Sequence, residues 1–299
     1  MEFLENKSIF VTGATGFLGK IMVEKILRIQ PNVKKLYLLL RSTDEMTAAQ
    51  RFHNEVVEKD LFRVLKEKWG GNINSLILEK ICLVIGNIRS PNLGLKDSHL
   101  LKEMKSQIEI MVNLAATTKF DERYDVAFET NTLGAKHVLS FAKQCSSLEV
   151  VVHVSTGEKE GIIQEIPYRM GESLNGTIGL NIESEQKLVE ETLNKLINNG
   201  ATEETITLTM KHLGLKRTID SLVTGYGKGK LTFFPFDINS FVDVIPADMV
   251  VNAMIITMMD HARKEKPGHV IYQVGSWRRN GIKYGDLKHF TEQYLLRSH

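Results

Sequence analysis

Short aliphatic runs alternate with longer amphipathic segments over the first 155 residues of the chain. Unbroken apolar runs are typical of strands that helices cover on both faces, and amphipathic segments are typical of the helices that connect such strands. The pattern predicts five strands, at residues 8–12, 36–40, 81–85, 110–114 and 150–154, and a helix from residue 16 to residue 29. We therefore expect an α/β fold with a doubly wound parallel sheet.

The hydrophobic pattern changes after residue 156. Glycine-rich loops and charged helical stretches, such as residues 183–196, replace the regular alternation of strands and helices. A late apolar run at residues 270–275 predicts one more strand that returns to the edge of the sheet. The sequence thus divides into a sheet-forming domain at residues 1–156 and a smaller region at residues 157–299.

Composition and charge exclude several classes of protein. The 299 residues are 42% hydrophobic, and a net charge of only +2 predicts no basic surface for nucleic acid. The most apolar later stretch, residues 249–259, is shorter than the roughly 20 residues of a membrane span, so any membrane association is expected to be peripheral. Cys82 and Cys145 lack the spacing of a metal site or a disulfide framework, and the first strand begins too early for a secretory signal. We expect a protein of a reducing compartment, without a bound metal.

A glycine motif stands between the first strand and the first helix, where residues 12–19 read TGATGFLG. Gly13 permits a tight turn, Gly16 lets the backbone approach a pyrophosphate, and Gly19 lets the helix pack closely on the strand. A turn without ligand is the alternative, but glycine costs about 1 kcal/mol inside a helix relative to alanine. In this position the motif indicates a dinucleotide-binding Rossmann fold. The residues predicted to contact the dinucleotide here are Thr12, Gly13, Thr15, Gly16, Phe17, Leu18 and Gly19.

The residue after the second predicted strand indicates which dinucleotide to expect. Enzymes that use NAD place an acidic side chain there, which binds the ribose 2′-hydroxyl. This chain has Arg41 at that strand end, without a competing aspartate or glutamate. A guanidinium matches a 2′-phosphate with two hydrogen bonds, so NADPH is the predicted cofactor. The alternative is an arginine that is simply solvated at the end of a strand.

Two further strand ends carry candidate cofactor contacts. After the third strand, Asn87 and Ile88 could contact the edge and the face of an adenine, although a simple turn would use the same residues. After the fourth strand, the small side chains of Ala115 and Ala116 let the backbone pass close to the ribose and the nicotinamide, and ordinary packing is the alternative. These four residues complete the predicted cofactor site.

Several motifs follow one another along nearly the whole chain. They read TGATGFLGK, KLYLLLR, NLAATTKFDERYD, NTLG, HVST, TIDSLVTGYGKGKLTFF and DVIPADMVVNAMI. Together they resemble the plant fatty acyl-CoA reductases, which are extended short-chain dehydrogenases with a male-sterility-type NAD-binding domain. The resemblance implies an NADPH-dependent oxidoreductase of lipid biosynthesis that reduces a long-chain acyl-CoA through an aldehyde to a primary alcohol.

The implied reaction requires two kinds of side chain. Hydride attack on a carbonyl builds negative charge on its oxygen, which such enzymes stabilise with a serine or threonine and protonate with a tyrosine. A lysine four residues after the tyrosine lowers the pKa of the tyrosine. The HVST motif places Thr156 at the end of the fifth strand, and we assign the first role to it, with Ser155 as second choice. Both residue types are also common in turns, and His153 is interpreted as a packed strand residue.

The tyrosine and the lysine of the family are not identifiable in this chain. The helix that carries them should lie between KHLGL and TID, where only two residues stand. The resemblance therefore implies an internal deletion, and it also implies the loss of a C-terminal helical region. Tyr226 with Lys230 has the required spacing but lies among glycines that disfavour a helix. Tyr284 with Lys288 lies far along the chain from the fifth strand, so neither pair is expected to be catalytic.

Three interpretations are compatible with these residues. The chain is an active acyl-CoA reductase, a catalytically inactive NADPH-binding relative, or an incomplete splice or gene-model product. Loss of a general acid costs about 10²–10⁴ in rate, so the second and third predict little turnover. For the first, the resemblance implies that residues 1–156 bind NADPH and that residues 157–299 are a substrate-side region, incomplete relative to the family, for a long-chain acyl-CoA. The expected location is the cytoplasm, including the surface of the endoplasmic reticulum.

Overall fold

The computed structural model describes residues 2–119, 121–155, 181–217, 239, 241–242, 245–262, 268–275, 281–283 and 285–286. Its main sheet contains the strands β1 (Ser8–Thr12), β2 (Lys35–Leu40), β3 (Ile81–Ile85), β4 (Ile110–Asn113) and β5 (Val150–His153). The strands are parallel and lie in the order β3-β2-β1-β4-β5. The five predicted strands are confirmed, with one-residue differences at the ends of β2, β4 and β5. This order is that of a doubly wound Rossmann sheet, so the predicted fold class is also confirmed.

Helices connect the strands, as parallel pairing requires. In the first region they are α1 (Phe17–Ile29), α2 (Glu45–Phe52), α3 (Arg63–Trp69), α4 (Ile73–Lys80), α5 (Ser98–Gln107), α6 (Tyr124–Ala127) and α7 (Gly134–Ala142). Wider π-helical turns at His53–Val57 and Phe128–Leu133 extend α2 and join α6 to α7. The later described residues form α8 (Ile182–Asn198), α9 (Glu203–Arg217), α10 (Ala247–Ala262) and an antiparallel pair of short strands, β6 (Phe241–Val242) and β7 (Ile282–Lys283).

The core lies on both faces of the sheet, because successive side chains of a strand point to opposite sides. Ile9 and Val11 of β1 lie in a cluster with apolar residues of α1 and α10. Phe10 lies in the opposite cluster, where its ring centroid is 5.8 Å from that of Phe141 in α7. All residues of β1 are buried. Burial on both faces is the reason that β1, β2 and β4 read as unbroken apolar runs rather than as alternating ones. The edge strands β3 and β5 are less buried.

The later region contributes a helix to the first of these clusters. Val251, Met254, Ile255 and Met258 of α10 are buried, and the helix packs against α1 and β5. These residues recur at spacings of one to four positions along one side of the helix, as in other helices with a single apolar face. Residues distant in sequence from the sheet therefore complete the cover on the side that α1 occupies.

The predicted strand at residues 270–275 is not formed, so this prediction was wrong. The segment has no regular secondary structure and lies against α10, where the Tyr272 hydroxyl donates a 2.8 Å hydrogen bond to Asp260 Oδ2. Its large apolar side chains remain at least 39% exposed. The residue types favour a strand, but a strand also needs a neighbouring strand to pair with. Among the described residues, this segment is a strand of neither sheet. The position beside α10 decided the conformation of this segment.

Polar side chains of the FDERYD motif attach α8 and α9 to the first region. Arg123 donates two hydrogen bonds to Asp125, of 2.8 and 3.1 Å, and a third to Glu203 at the start of α9. The Tyr124 hydroxyl donates to Glu185 of α8 over 2.8 Å. We call these five residues the FDERYD clamp. A motif that carries part of the family resemblance thus has a docking role in the structure.

Candidate functional site

The turn from β1 into α1 brings two chain segments into backbone contact. Gly13 adopts a left-handed conformation, with φ of 72°, which other residues rarely tolerate. A Cβ atom at Gly13 would lie 2.8 Å from the Ala115 nitrogen, in the segment that leaves β4. Both the backbone angle and the surroundings therefore exclude a side chain, and the tight turn expected at Gly13 is present.

Gly16 and Gly19 leave the N-terminus of α1 open. Gly16 precedes the helix, where no described side chain forms a cap, and the first turn, all of it described, has no acidic residue. A Cβ atom on Gly19 would lie 2.2 Å from the Gly13 carbonyl oxygen, and one on Gly16 would lie 3.0 Å from it. Backbone N–H groups at an uncapped helix start attract anions, because they carry the positive end of the helix dipole. The residues present therefore fit a pyrophosphate at this point.

The other side chains of the glycine motif divide between core and surface. Leu18 packs against the apolar cluster below α1. Phe17 is 74% exposed at the first position of the helix, and Thr15 Oγ1 accepts a hydrogen bond from Arg51 of α2. Phe17 and Thr15 are thus the members of the motif whose side chains lie closest to its outer surface.

Thr12 joins the end of β1 to the end of β4. Its side chain is fully buried, and Oγ1 donates to Asn113 Oδ1. The same oxygen accepts the backbone N–H groups of Leu114 and Ala115, each over 3.2 Å. Thr12 thereby fixes Leu114 and Ala115, the residues that the glycine turn contacts at Gly13. The small side chains there are half-buried at Ala115 and exposed at Ala116, so the surface beside the turn is open.

The hydrogen-bonded chain continues from Asn113 to β5. Asn113 Nδ2 donates to His153 Nδ1 over 2.9 Å, so the imidazole carries its proton on Nε2. Desolvation by the surrounding protein lowers the pKa of His153 from its ordinary value of 6.5, although part of the residue is exposed, and this keeps the ring neutral at neutral pH. The sequence predicted only a packed residue at His153, because the two partners of this hydrogen bond stand 40 positions apart.

Asn131 fixes the loop that follows β4. It lies in the π-helical turn Phe128–Leu133, and its Oδ1 accepts the Thr117 N–H over 2.8 Å. Its Nδ2 donates to the Thr117 carbonyl over 3.0 Å. This reciprocal pair of bonds closes the loop that carries Ala115 and Ala116, and it accounts for an asparagine in the NTLG motif.

Two arginines stand near the end of β2. Arg41 is exposed there, as expected from the sequence, and its backbone carbonyl accepts a 2.9 Å hydrogen bond from Arg51 Nη1. Arg51 also pairs with Glu55 over 2.8 Å. Arg51 was not predicted as a site residue, because an arginine and a glutamate four positions apart on a helix are typical of a solvated ion pair.

The contacts of Asn87 and Ile88 are those of a turn and of the core. Asn87 Oδ1 accepts the Arg89 N–H over 3.1 Å. The Ile88 side chain is 5% exposed and lies in the second core cluster, and its carbonyl bonds to the His137 ring over 2.9 Å. Contact of these residues with an adenine stays a prediction.

Thr156, the residue predicted for catalysis, lies outside the described part of the chain. So do Tyr226, Lys230, Tyr284 and Lys288, the two pairs that have the tyrosine–lysine spacing but are not expected to be catalytic. Ser155 is described and is exposed after β5. Among the described residues, no cluster of histidine, cysteine, aspartate and glutamate could hold a metal ion. No helix among the same residues combines the length and the apolar character needed to cross a bilayer.

Known proteins resemble this chain over most of its length. The NAD-binding male sterility protein family matches residues 11–204. The alcohol-forming fatty acyl-CoA reductase of Simmondsia chinensis is 44% identical, over 100% of this chain and 72% of that protein. Fatty acyl-CoA reductase 1 of Arabidopsis thaliana is 41% identical, over 99% of this chain and 72% of that protein. The alignment with the first extends over 356 positions, more than the 299 residues present, which agrees with the predicted internal deletion.

A solved structure supports the fold. The terminal reductase domain of the myxalamid biosynthetic pathway superposes with a TM-score of 0.52 at 20% identity, over 85% of this chain. The chain spans 63% of that domain, and at this identity the likeness concerns the fold alone. The whole-chain matches favour an oxidoreductase over an inactive relative. With its Rossmann sheet and its nicotinamide-dinucleotide-binding domain, the chain belongs to the fatty acyl-CoA reductase family.

Proposed function

We propose that this protein reduces a long-chain fatty acyl-CoA with NADPH, by way of the aldehyde, to a primary alcohol. The observation that carries the proposal is the open, glycine-lined start of α1, where a side chain on Gly19 would meet the Gly13 carbonyl and an anionic dinucleotide fits. The names of the plant relatives support the substrate, and the name of the Simmondsia protein supports an alcohol as the product.

The proposed cofactor site lies at the carboxyl ends of β1, β2, β3 and β4. When bound, NADPH supplies the hydride, and the protein supplies binding and orientation. In this proposal Arg41 pairs with the 2′-phosphate, Asn87 and Ile88 lie beside the adenine, and Ala115 and Ala116 lie beside the ribose and the nicotinamide. The dinucleotide would contact Thr12, Gly13, Thr15, Gly16, Phe17, Leu18 and Gly19, with its pyrophosphate beside Gly16 at the start of α1.

The proposed catalytic donor is Thr156, with Ser155 as the second choice. Its hydroxyl would donate to the carbonyl oxygen on which negative charge develops. Because glycines surround Tyr226 and Lys230, we assign neither residue the role of general acid.

The proposal is tested with the purified chain, NADPH and a long-chain acyl-CoA. We expect acyl-CoA-dependent oxidation of NADPH, with two NADPH consumed for each alcohol detected by gas chromatography. Thr156→Ala should lower the rate by about 10²-fold, whereas Thr156→Ser should retain most of it. NADPH binding without any acyl-CoA-dependent oxidation would contradict the proposal and favour the inactive relative. Loss of turnover in Tyr226→Phe would instead identify Tyr226 as the general acid.

A further inference from the structure

The start of α2 is fixed close to the end of β2 by its own cap. Asp44 accepts the Thr47 N–H over 2.8 Å and the hydroxyl groups of Thr43 and Thr47. These bonds lower the pKa of Asp44 to about 2, so the side chain is ionised at neutral pH. Its negative charge caps the first turn of α2. Arg51 stands about two helical turns after the cap, and its position follows from that of Asp44.

Arg51 contacts both loops of the proposed cofactor site. Nη1 donates to the Arg41 carbonyl at the end of β2 over 2.9 Å. Nη2 lies 3.4 Å from Thr15 Oγ1 in the glycine motif, 36 positions earlier in the sequence. An arginine that served only to pair with Glu55 would need neither contact. The Arg51 side chain instead connects the glycine turn to the end of β2, where the proposed function places the 2′-phosphate of the dinucleotide.

The hydrogen-bond donors of Arg51 leave one N–H available. An arginine has five N–H donors in a planar fork. Nε and Nη2 donate to the Glu55 carboxylate over 2.8 and 3.3 Å, Nη2 also donates to Thr15, and Nη1 donates once to Arg41. Within the described part of the chain, the second N–H of Nη1 has no partner, and it belongs to the nitrogen nearest to Arg41.

The Arg41 guanidinium is exposed and makes no hydrogen bond or ion pair with any described residue. We propose that Arg51 and Arg41 together bind the 2′-phosphate of NADPH, and that Arg51 is a second determinant of cofactor choice. This inference rests on the function proposed above. Two guanidinium groups attract a doubly charged phosphate more strongly than one does. Arg41 can present parallel N–H groups to the phosphate oxygens, and Arg51 can add the remaining N–H of Nη1.

The test measures binding to the full chain and does not depend on turnover. Nicotinamide fluorescence compares NADPH with NADH, and calorimetry compares 2′,5′-ADP with 5′-AMP, which differ only in the 2′-phosphate. The variants are Arg51→Ala and Arg51→Lys. Arg63→Ala is the matched control, because Arg63 carries the same charge on α3 and pairs only loosely with Asp60, over 3.6 Å.

We expect Arg51→Ala to weaken NADPH and 2′,5′-ADP about tenfold or more, and to weaken NADH and 5′-AMP less than about threefold. Arg51→Lys should fall between, since lysine keeps the charge but loses the planar fork. Arg63→Ala should bind all four ligands as the unmodified chain does. Thermal unfolding confirms that each variant is folded. If Arg51→Ala does not fold, the same comparison of ligands is made with Arg51→Lys.

Equal weakening of NADPH and NADH in folded Arg51→Ala would overturn the inference, because Arg51 would then only hold Thr15 in place. Unchanged NADPH affinity in both Arg51 variants would overturn it as well. If the unmodified chain prefers NADPH while the Arg51 variants keep that preference, this inference fails and the proposed function stands. If the unmodified chain binds neither dinucleotide, both fail.

Discussion

The sheet and the pair of helices α8 and α9 are held in place by different interactions. β1 is buried along its length and packs against helices on both faces. Among the described side chains of α8 and α9, the buried apolar ones are Val189, Ile206 and Met210, and the FDERYD clamp supplies polar contacts. Apolar burial contributes about 25 cal/mol per Å², whereas an exposed ion pair contributes about 0–1 kcal/mol. We therefore expect α8 and α9 to open before the sheet does.

The largest expected effect is on the sheet. Phe10→Ala leaves a cavity between β1 and α7 and should lower the free energy of unfolding by about 3–5 kcal/mol. Phe17→Ala is the control, since that ring is 74% exposed, and it should change stability by less than about 0.5 kcal/mol. Denaturant unfolding followed by circular dichroism measures both. Equal losses in the two variants would show that burial of Phe10 does not stabilise the sheet.

The glycine turn offers a second test of the sheet region. Alanine is normally favoured over glycine inside a helix, but a Cβ on Gly19 would lie 2.2 Å from the Gly13 carbonyl oxygen. We expect Gly19→Ala to destabilise the protein by about 1–3 kcal/mol and to abolish NADPH binding. Gly71→Ala is the control, because no atom of the described structure lies within 4 Å of the added Cβ. Thermal unfolding and NADPH titration measure the outcome, and a stable Gly19→Ala variant that binds NADPH would contradict the close approach.

The clamp provides the matching test for α8 and α9. Arg123→Ala leaves the buried carboxylate of Asp125 without its partner and should cost about 1–3 kcal/mol. Hydrogen exchange should accelerate across residues 182–217 while the amides of β1 stay protected. Lys187→Ala, which removes an exposed pair of 3.7 Å with Glu191, should leave exchange unchanged. Uniform acceleration in the sheet and in α8 would show that the two regions open as one unit.

The smallest expected effect concerns pH. Desolvation in the folded state lowers the pKa of His153 from its ordinary value of 6.5, so the unfolded chain binds a proton more readily. The contribution of His153 to stability is therefore complete above that value and decreases as the pH falls below it. His153→Gln keeps a hydrogen-bond acceptor for Asn113 without titrating, and it should reduce the acid-induced fall in melting temperature. His99→Gln, on α5 and away from β5, is the control, and a similar response of both variants would exclude His153 as the cause.

Much of the sheet and of the glycine turn could be predicted from the sequence, because their determinants are local. Unbroken apolar runs are typical of strands that helices cover, and they placed β1 and β3 to the residue, although β3 at the edge of the sheet is mostly half-buried. Gly13 and Gly19 occur where a turn with positive φ and a close backbone approach exclude a side chain. Arg41 was found because it directly follows a strand.

Only the tertiary structure decided which distant residues meet. It brought Arg51 to Thr15 and Asn113 to His153, and it placed residues 270–275 beside α10 instead of in the sheet. A hydrophobic pattern specifies which face of a helix or strand is buried. It does not specify which other element packs on that face, or which residues bond to the polar side chains. Those pairings depend on how helices and strands pack across long sequence separations. The sequence therefore determined the strands of the sheet and the glycine turn, whereas packing decided which polar side chains surround the proposed cofactor site.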